Sequence, residues 1–244
     1  MGQKVHPYAF RLPLIRPWTS NWFANRKTDY EANVQEDIKL RKFLGKKLSD
    51  ASVAAIEIHR NSKSITVIIR TAKPGVIIGK SGATIETLRD QVNKLMGKLV
   101  DIKIFEVRKP NTNAVLVGQK IGSQIERRIA YRRAIKGAIQ EAMEDGALGI
   151  KVSIGGRLNG SDIARRESYK EGNIPLHTLR ADIDYAIYHT QTTFGIIGVK
   201  VWIYKGLVFE GQAANDQSDQ EVKAGLGASK KVDMQDTPAD AVAA

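Results

Sequence analysis

The sequence predicts an α+β protein made of two successive units, each a layer of helices on a sheet. Three observations carry that expectation. Between residues 29 and 104, a helical apolar stripe is followed by two alternating segments, a glycine loop, a second helical stripe and a third alternating segment. From residue 113 to residue 145 two further helical stripes run in succession, and about four strand-like segments follow them. Lys109-Pro110-Asn111 breaks the chain between these two series. Two helices followed by a run of strands suit a helix layer on a mostly antiparallel four-stranded sheet.

The elements follow in order. Residues 1–27 are basic and aromatic, are broken by Pro7, Pro13 and Pro17, and read as an extended arm. Such an arm suits contact with RNA or protein, Lys4 being its candidate RNA contact; a merely flexible terminus is the plain alternative. Residues 29–48 read as a helix with Leu40, Phe43, Leu44 and Leu48 on one face, and Lys39, Arg41, Lys42, Lys46 and Lys47 mostly elsewhere. Ala54, Ile56 and Ile58 alternate with other residues, as do Ile65, Val67 and Ile69, with a tight turn at Asn61-Ser62. The glycine loop spans Gly75 to Gly82. Ile85, Leu88, Val92 and Leu95 then share a helical face, Gly97 ends that helix, and Val100, Ile102 and Ile104 mark a strand.

In the second unit, Val117, Ile121 and Ile125 mark a helix over 113–129, and Ile135, Ile139 and Met143 a helix over 132–145. Alternation at Ile150/Val152/Ile154, Ile183/Tyr185/Ile187 and Val199/Val201/Ile203 marks three strands, with a fourth over 164–170. Beyond Gln212 the chain is rich in Ala, Asp, Gln and Ser. It lacks the apolar surface to offset ordering entropy and is expected to be disordered. The predicted division is 1–16 arm, 17–108 first unit, 109–209 second unit and 210–244 acidic tail.

The chain has 244 residues, a formal net charge of +12 and no cysteine. Disulfides, zinc knuckles and thiol catalysis are thereby excluded. No apolar run approaches the ~20 residues that span a bilayer, and residues 1–9 lack a signal-peptide layout, so neither a membrane nor an exported protein is expected. From Glu210 onward seven acids face three lysines, a net of −4, which leaves +16 on the first 209 residues. That excess suits a polyanion, because each cation that meets a phosphate releases condensed counterions. A solvated basic surface is the plain alternative.

The sharpest signal is Val76-Ile77-Ile78-Gly79-Lys80-Ser81-Gly82-Ala83-Thr84-Ile85. A bare GxxG is weak, and the chain has two more, Gly146–Gly149, read as a turn, and Gly195–Gly198, read as a sheet irregularity. Around Gly79, Lys80, Ser81 and Gly82, however, apolar residues precede the loop and a helix opens directly after it. Glycines admit a nucleic-acid backbone without a Cβ clash, the helix start offers free N–H groups to phosphate, and Lys80 adds charge. This is the GXXG clamp of KH domains, and the order helix, strand, strand, loop–helix, strand matches the type II KH topology. A structural turn between two helices is the bland reading. A rival reading is a nucleotidase, because Gly75 to Ser81 reads G-x-x-x-G-K-S. The Walker A loop needs four residues between glycine and GK, and Pro74 stands where that glycine should be.

Arg127, Arg128, Arg132, Arg133 and Lys136 put five cations in ten residues, with Glu126 the one nearby acid. On a continuous helix Arg128, Arg132 and Lys136 would share a face and repel one another, a cost that a phosphate track would offset. A solvated helix face is the alternative. Arg157, Arg165 and Arg166 form a second candidate cluster. His6, His59, His177 and His189 show no metal-ligand spacing, and no G-x-S-x-G or H-E-x-x-H occurs. His177 with Asp182 suits capping better than acid–base work. Trp18, Trp22 and Trp202 suit packing better than base stacking. No catalytic residue, metal or cofactor is expected.

The residues also resemble a known family. Met1-Gly2-Gln3-Lys4-Val5-His6-Pro7, Pro17-Trp18 with Trp22-Phe23-Ala24-Asn25, the KH loop, and Glu106-Val107-Arg108-Lys109-Pro110 are similar to the bacterial small-subunit ribosomal protein S3 family (universal uS3). So are Gly156-Arg157-Leu158, Glu171-Gly172, Pro175-Leu176-His177-Thr178-Leu179-Arg180-Ala181-Asp182-Ile183-Asp184-Tyr185, and Gly195 to Gly206. The resemblance covers about residues 1–209; the tail departs from it. It implies a structural constituent of the small-subunit head in the cytoplasm that binds ribosomal RNA and neighbours small-subunit proteins ten and fourteen. It further implies that the chain, with proteins four and five, lines the entrance channel for messenger RNA and helps to unwind structured messenger. The family's basic motif there matches Arg132, Arg133 and Lys136. A free KH regulator of transcripts is the remaining alternative, disfavoured by the similarity outside the KH segment.

Overall fold

The structure, a computed structural model, describes residues 4–12, 14–61 and 64–209. The predicted disorder of 210–244 and the Ser62 half of the predicted turn lie outside the described residues.

The first unit is a sheet in the order β1-β2-β3-β4, formed by Ser20–Asn21, Val53–Arg60, Ile65–Thr71 and Val100–Glu106. Strands β2 and β3 are antiparallel; β3 and β4 are parallel. Register places Ile58 opposite Val67 and Val67 opposite Ile102, so the three predicted alternations meet in one buried row. A parallel pair needs a crossover. Here it is α3 (Pro74–Ile78), the glycine loop and α4 (Ala83–Met96). Helix α2 (Lys27–Lys47) covers the same face through Leu40 and Leu44, with Leu48 just beyond its end.

One predicted core residue is corrected. Leu95 is 44% exposed, and Met96 packs in its place beside Leu88 and Val92. At about 100° per residue, Met96 lies about 40° round the helix from Val92, whereas Leu95 lies about 60° the other way.

In the second unit α5 (Ala114–Glu126) and α6 (Tyr131–Glu144) lie on a sheet ordered β6-β5-β8-β7. Its strands are β5 (Gly149–Gly156), β6 (Arg165–Gly172), β7 (Ala181–Thr192) and β8 (Gly195–Leu207). Ile150, Val152 and Ile154 pair with Ile203, Val201 and Val199, and all six are fully buried beneath the helices. Helix α5 begins at Asn113, whose side-chain oxygen accepts from the Val115 and Leu116 amides, while the Ala114 amide donates to Asp184 Oδ2 at 2.9 Å.

The Ile183/Tyr185/Ile187 face is only partly as predicted. Ile187 is exposed, Tyr185 half-buried, and the helix-facing core takes Ala186 and Tyr188 instead. Ile183 and Ala181 join Ile174, Leu176, Trp202 and Tyr204 in a second cluster. Strand β7 is therefore covered on both faces, and no single alternation describes it.

The predicted extended arm holds one helical turn, α1 (Pro7–Phe10), started by Pro7 and the His6 side chain. Beyond it Arg11 is fully buried. Its guanidinium donates to the carbonyls of Ala181 (2.6 Å), Pro7 (2.9 Å), Leu176 (3.1 Å) and Thr178 (3.0 Å). Arg16 pairs with Asp182 and Asp184 at 2.8 and 2.9 Å. The arm then adds β1 parallel to β2 in the first sheet.

Candidate nucleic-acid interface

The glycine loop is a sharp corner between two helices. Gly79 has φ +72° and ψ −171°, and a Cβ there would overlap the Thr84 side chain. Gly82 has φ +80° and stands as the N-cap of α4 without a side-chain cap. Both backbone conformations suit glycine. Lys80 is exposed, and Val76 and Ile78 expose apolar surface just before the loop. A short 3-10 turn over Lys80–Gly82 leads into α4, and its Lys80 carbonyl accepts from the Ala83 amide; the corner thus offers the remaining amides of a helix start without a side-chain cap, a positive helix end and a mobile ammonium.

The same geometry speaks against the nucleotidase reading. Gly75 lies inside α3, and its carbonyl accepts from the Gly79 amide at 2.9 Å. A helical turn occupies the stretch that a Walker loop must leave open to cradle phosphate.

The basic helices meet at a tight turn rather than a continuous helix. Helix α5 ends at Glu126, and Arg128 takes φ +63°. Arg128, Arg132 and Lys136 therefore do not share one helical face: Arg128 stands on the turn, and Arg132, Arg133 and Lys136 on α6. All are exposed, as is Arg127. The first turn of α6 holds no acid and has no side-chain cap. Arg132 and Arg133 thus sit at the positive end of a helix dipole, where an anion is favoured.

Arg132 is steadied from below. Glu167 on β6 lies 3.4 Å from the Arg132 guanidinium and 3.5 Å from that of Arg165; it also accepts from the Tyr131 hydroxyl (2.8 Å) and the Tyr169 hydroxyl (3.0 Å). The Tyr131 bond, opposed by partial desolvation and reinforced by Arg132 and Tyr169, holds its carboxyl below the ordinary carboxylate value. Among the described residues, the side chains of Arg127, Arg128, Arg133, Lys136 and Arg166 have no hydrogen-bond or ion-pair partner.

Arg157 is placed differently. It donates to the Ser161 carbonyl (2.9 Å) and to Asp162 (3.0 Å), and its guanidinium carbon lies 5.9 Å from the Phe194 ring centre. It holds its own loop together. Lys4 is exposed at the start of the arm. Trp22 donates to the buried Asp37 at 2.9 Å, and Trp202 stacks beside Tyr185, so both pack as expected; Trp18 is exposed. Asp182 pairs with Arg16, not with His177. Gly146 turns the chain at φ +97°, whereas Gly198 pairs in register with Gly155, so no irregularity occurs there. Sequence reading missed Glu167, Tyr131 and Phe194. The Glu167/Tyr169 alternation on β6 was the one available signal for them.

Two family models match the chain: "KH domain" over residues 39–112 and "Ribosomal protein S3, C-terminal domain" over residues 121–203. A small ribosomal subunit protein uS3 from Shewanella amazonensis is 54% identical over 211 residues, covering 86% of this chain and 91% of the relative. The chain belongs to the uS3 family. In this uS3 chain the KH match holds the glycine corner, and the C-terminal match holds α6, β5, β6 and β7 with most of β8. Among the described residues, no helix is long and apolar enough to cross a membrane, and no group of His, Asp or Glu is arranged to hold a metal.

Proposed function

We propose that this uS3 chain acts as a structural, non-catalytic component of the cytoplasmic small ribosomal subunit. In this reading it binds ribosomal RNA, with Gly79, Lys80, Ser81 and Gly82 as a backbone clamp. Arg127, Arg128, Arg132, Arg133 and Lys136 line the messenger entrance and hold incoming messenger while translocation pulls structure apart. Proteins ten and fourteen are its neighbours, with four and five beside it at the entrance. Arg165, Arg166 and Lys4 add phosphate contacts, and Arg157 contributes through its loop. The division at 108/109 is kept, supported by the separate hydrophobic clusters on either side of it.

The observation that carries this reading is the group of exposed cations about the uncapped start of α6, of which Arg132 meets Glu167 while the side chains of Arg127, Arg128, Arg133 and Lys136 meet no acid of the described chain, an excess that an outside polyanion would neutralise. Replacing Arg132, Arg133 and Lys136 together by Ala should slow translation of hairpin-containing messengers more than of unstructured ones. The slope of log affinity for single-stranded RNA against log salt should also fall, by roughly 0.7 per lost phosphate contact. Equal slowing on both messengers would remove the channel role. Lys80→Asp should weaken RNA binding by the clamp, and an unchanged affinity and slope would remove the clamp.

A further inference from the structure

A cavity of about 490 Å³ opens beside the α5–α6 turn, lined among others by Glu126, Arg128, Tyr131, Arg157, Gln191 and Phe194. We propose that it receives one unpaired nucleobase of the RNA whose phosphates the neighbouring cations hold. The inference rests on the RNA-binding reading and adds a base-binding site to it.

The size falls within the range of small-ligand sites, about 300–1,000 Å³. The chemistry suits a planar ring. Phe194, at the tip of the β7–β8 hairpin, exposes 55% of its surface. Its ring is held in place nonetheless. Gly160, at φ +76°, lies so close that a Cβ there would come within 2.9 Å of the ring. The guanidinium carbon of Arg157, itself fixed by Ser161 and Asp162, lies 5.9 Å from the ring centre. A preorganised aromatic flanked by a guanidinium is what an unstacked base meets in single-strand recognition. Glu126, Gln191 and Thr193 supply polar groups suited to a base edge.

Two further observations favour a ligand here. Three non-glycine residues among those described have positive φ, and two of them, Arg128 at +63° and Asn159 at +56°, line this cavity. Such strain gathers at binding sites, where the surroundings hold it. The Arg128 side chain also has no partner among the described residues, and Arg127, Arg132 and Arg133 lie close to it in sequence on the same turn and helix start. A base entering the cavity brings its own phosphate to these cations, and an apolar protein side chain does not. Charge complementarity thus selects a nucleotide over a protein loop.

The test uses the full chain and single-stranded oligoribonucleotides carrying 2-aminopurine, or an abasic site, at successive positions. At one position the wild-type chain should quench the fluorophore and bind the abasic strand about tenfold more weakly, the loss of one base–aromatic stack. Phe194→Leu should abolish both the quenching and the abasic difference while leaving the salt slope intact. Equal wild-type affinity for base and abasic strands at every position overturns the cavity assignment, and this comparison needs no variant. A retained salt slope in that case leaves the phosphate reading standing; absence of any RNA affinity removes both. Discrimination that survives Phe194→Leu places the base elsewhere and overturns the proposal. So does a variant that keeps base discrimination but no longer joins the small subunit, because the cavity then receives a protein neighbour.

Discussion

Gly79 turns the chain at φ +72° with the Thr84 side chain against the place a Cβ would take. Gly79→Ala therefore carries both a left-handed backbone cost and an overlap, and should destabilise the protein by about 1–3 kcal/mol. Urea unfolding would measure it; a midpoint equal to wild type would mean that the corner relaxes freely. Glu167 makes a different residue-scale prediction. Its carboxyl is held below its ordinary value, first by the Tyr131 hydroxyl and then, against desolvation, by Arg132 and Tyr169. A group whose folded pKa is depressed binds protons more readily when unfolded. Its stabilisation is fully present above the unfolded value and is lost as pH falls through the folded one. The melting-temperature difference between wild type and Glu167→Gln should thus be largest near neutrality and close in acid below the ordinary carboxylate range. A difference constant across that range would mean that Glu167 does not sense Tyr131, Arg132 and Tyr169.

Helix α5 meets β7 closely because Gly118 and Gly122 face it. A Cβ at Gly122 would overlap the ring of Tyr188 and come within 2.8 Å of Thr190 Oγ1, whereas at Gly137 on α6 it would meet nothing within 4 Å. The same substitution should then act with opposite signs. Gly137→Ala should stabilise by about 0.5–1 kcal/mol through helix propensity alone. Gly122→Ala should destabilise by about 1–3 kcal/mol, because overpacking forces helix from sheet. Equal effects in thermal unfolding would show that α5 slides without cost. Propensity is readable from sequence, but what a helix touches is not, and the same limit explains which elements were legible. The β5 and β8 faces were legible because one side of a central strand is buried under helices, so Ile150/Val152/Ile154 and Val199/Val201/Ile203 keep strict alternation. On β7 the arm supplies a second cover, and alternation fails at Ile187. The glycine loop was legible because its chemistry is local. The turn at Arg128 was not, because a positive φ at arginine has no signature in composition. The cavity was illegible for a related reason: Arg128, Arg157 and Phe194 come from three separate segments that only the fold brings together.

At the scale of the molecule, the arm joins what the Pro110 break separates. It lies on the second unit through Arg11 and Arg16 and then adds a strand to the first sheet, where Arg41 donates to the Thr19 carbonyl at 2.9 Å and the Ser20 hydroxyl at 2.8 Å. Burial opposes the charge on Arg16, but Asp184 and Asp182 outweigh it and raise the guanidinium pKa. The Arg16 guanidinium therefore keeps its charge where it docks. Arg11 is the stronger anchor, because one buried guanidinium satisfies four carbonyls, Pro7 in the arm and three within residues 176–181. Arg11→Met keeps much of the side-chain volume but leaves those oxygens without their donor. Unpaired buried polar groups cost about 1–3 kcal/mol each when they cannot rehydrate. The arm has a cheaper response, which is to lift away so that water reaches the carbonyls. Arg11→Met should then become sensitive to limited proteolysis between residues 12 and 19 at protease levels that leave wild type intact, with the first cuts there and not within either sheet. Moderate salt should not mimic the variant, because bonds from a buried guanidinium to carbonyls are screened far less than exposed pairs. Wild-type protection in Arg11→Met would show that β1 pairing alone holds the arm, and that the buried arginine is incidental to joining the two halves.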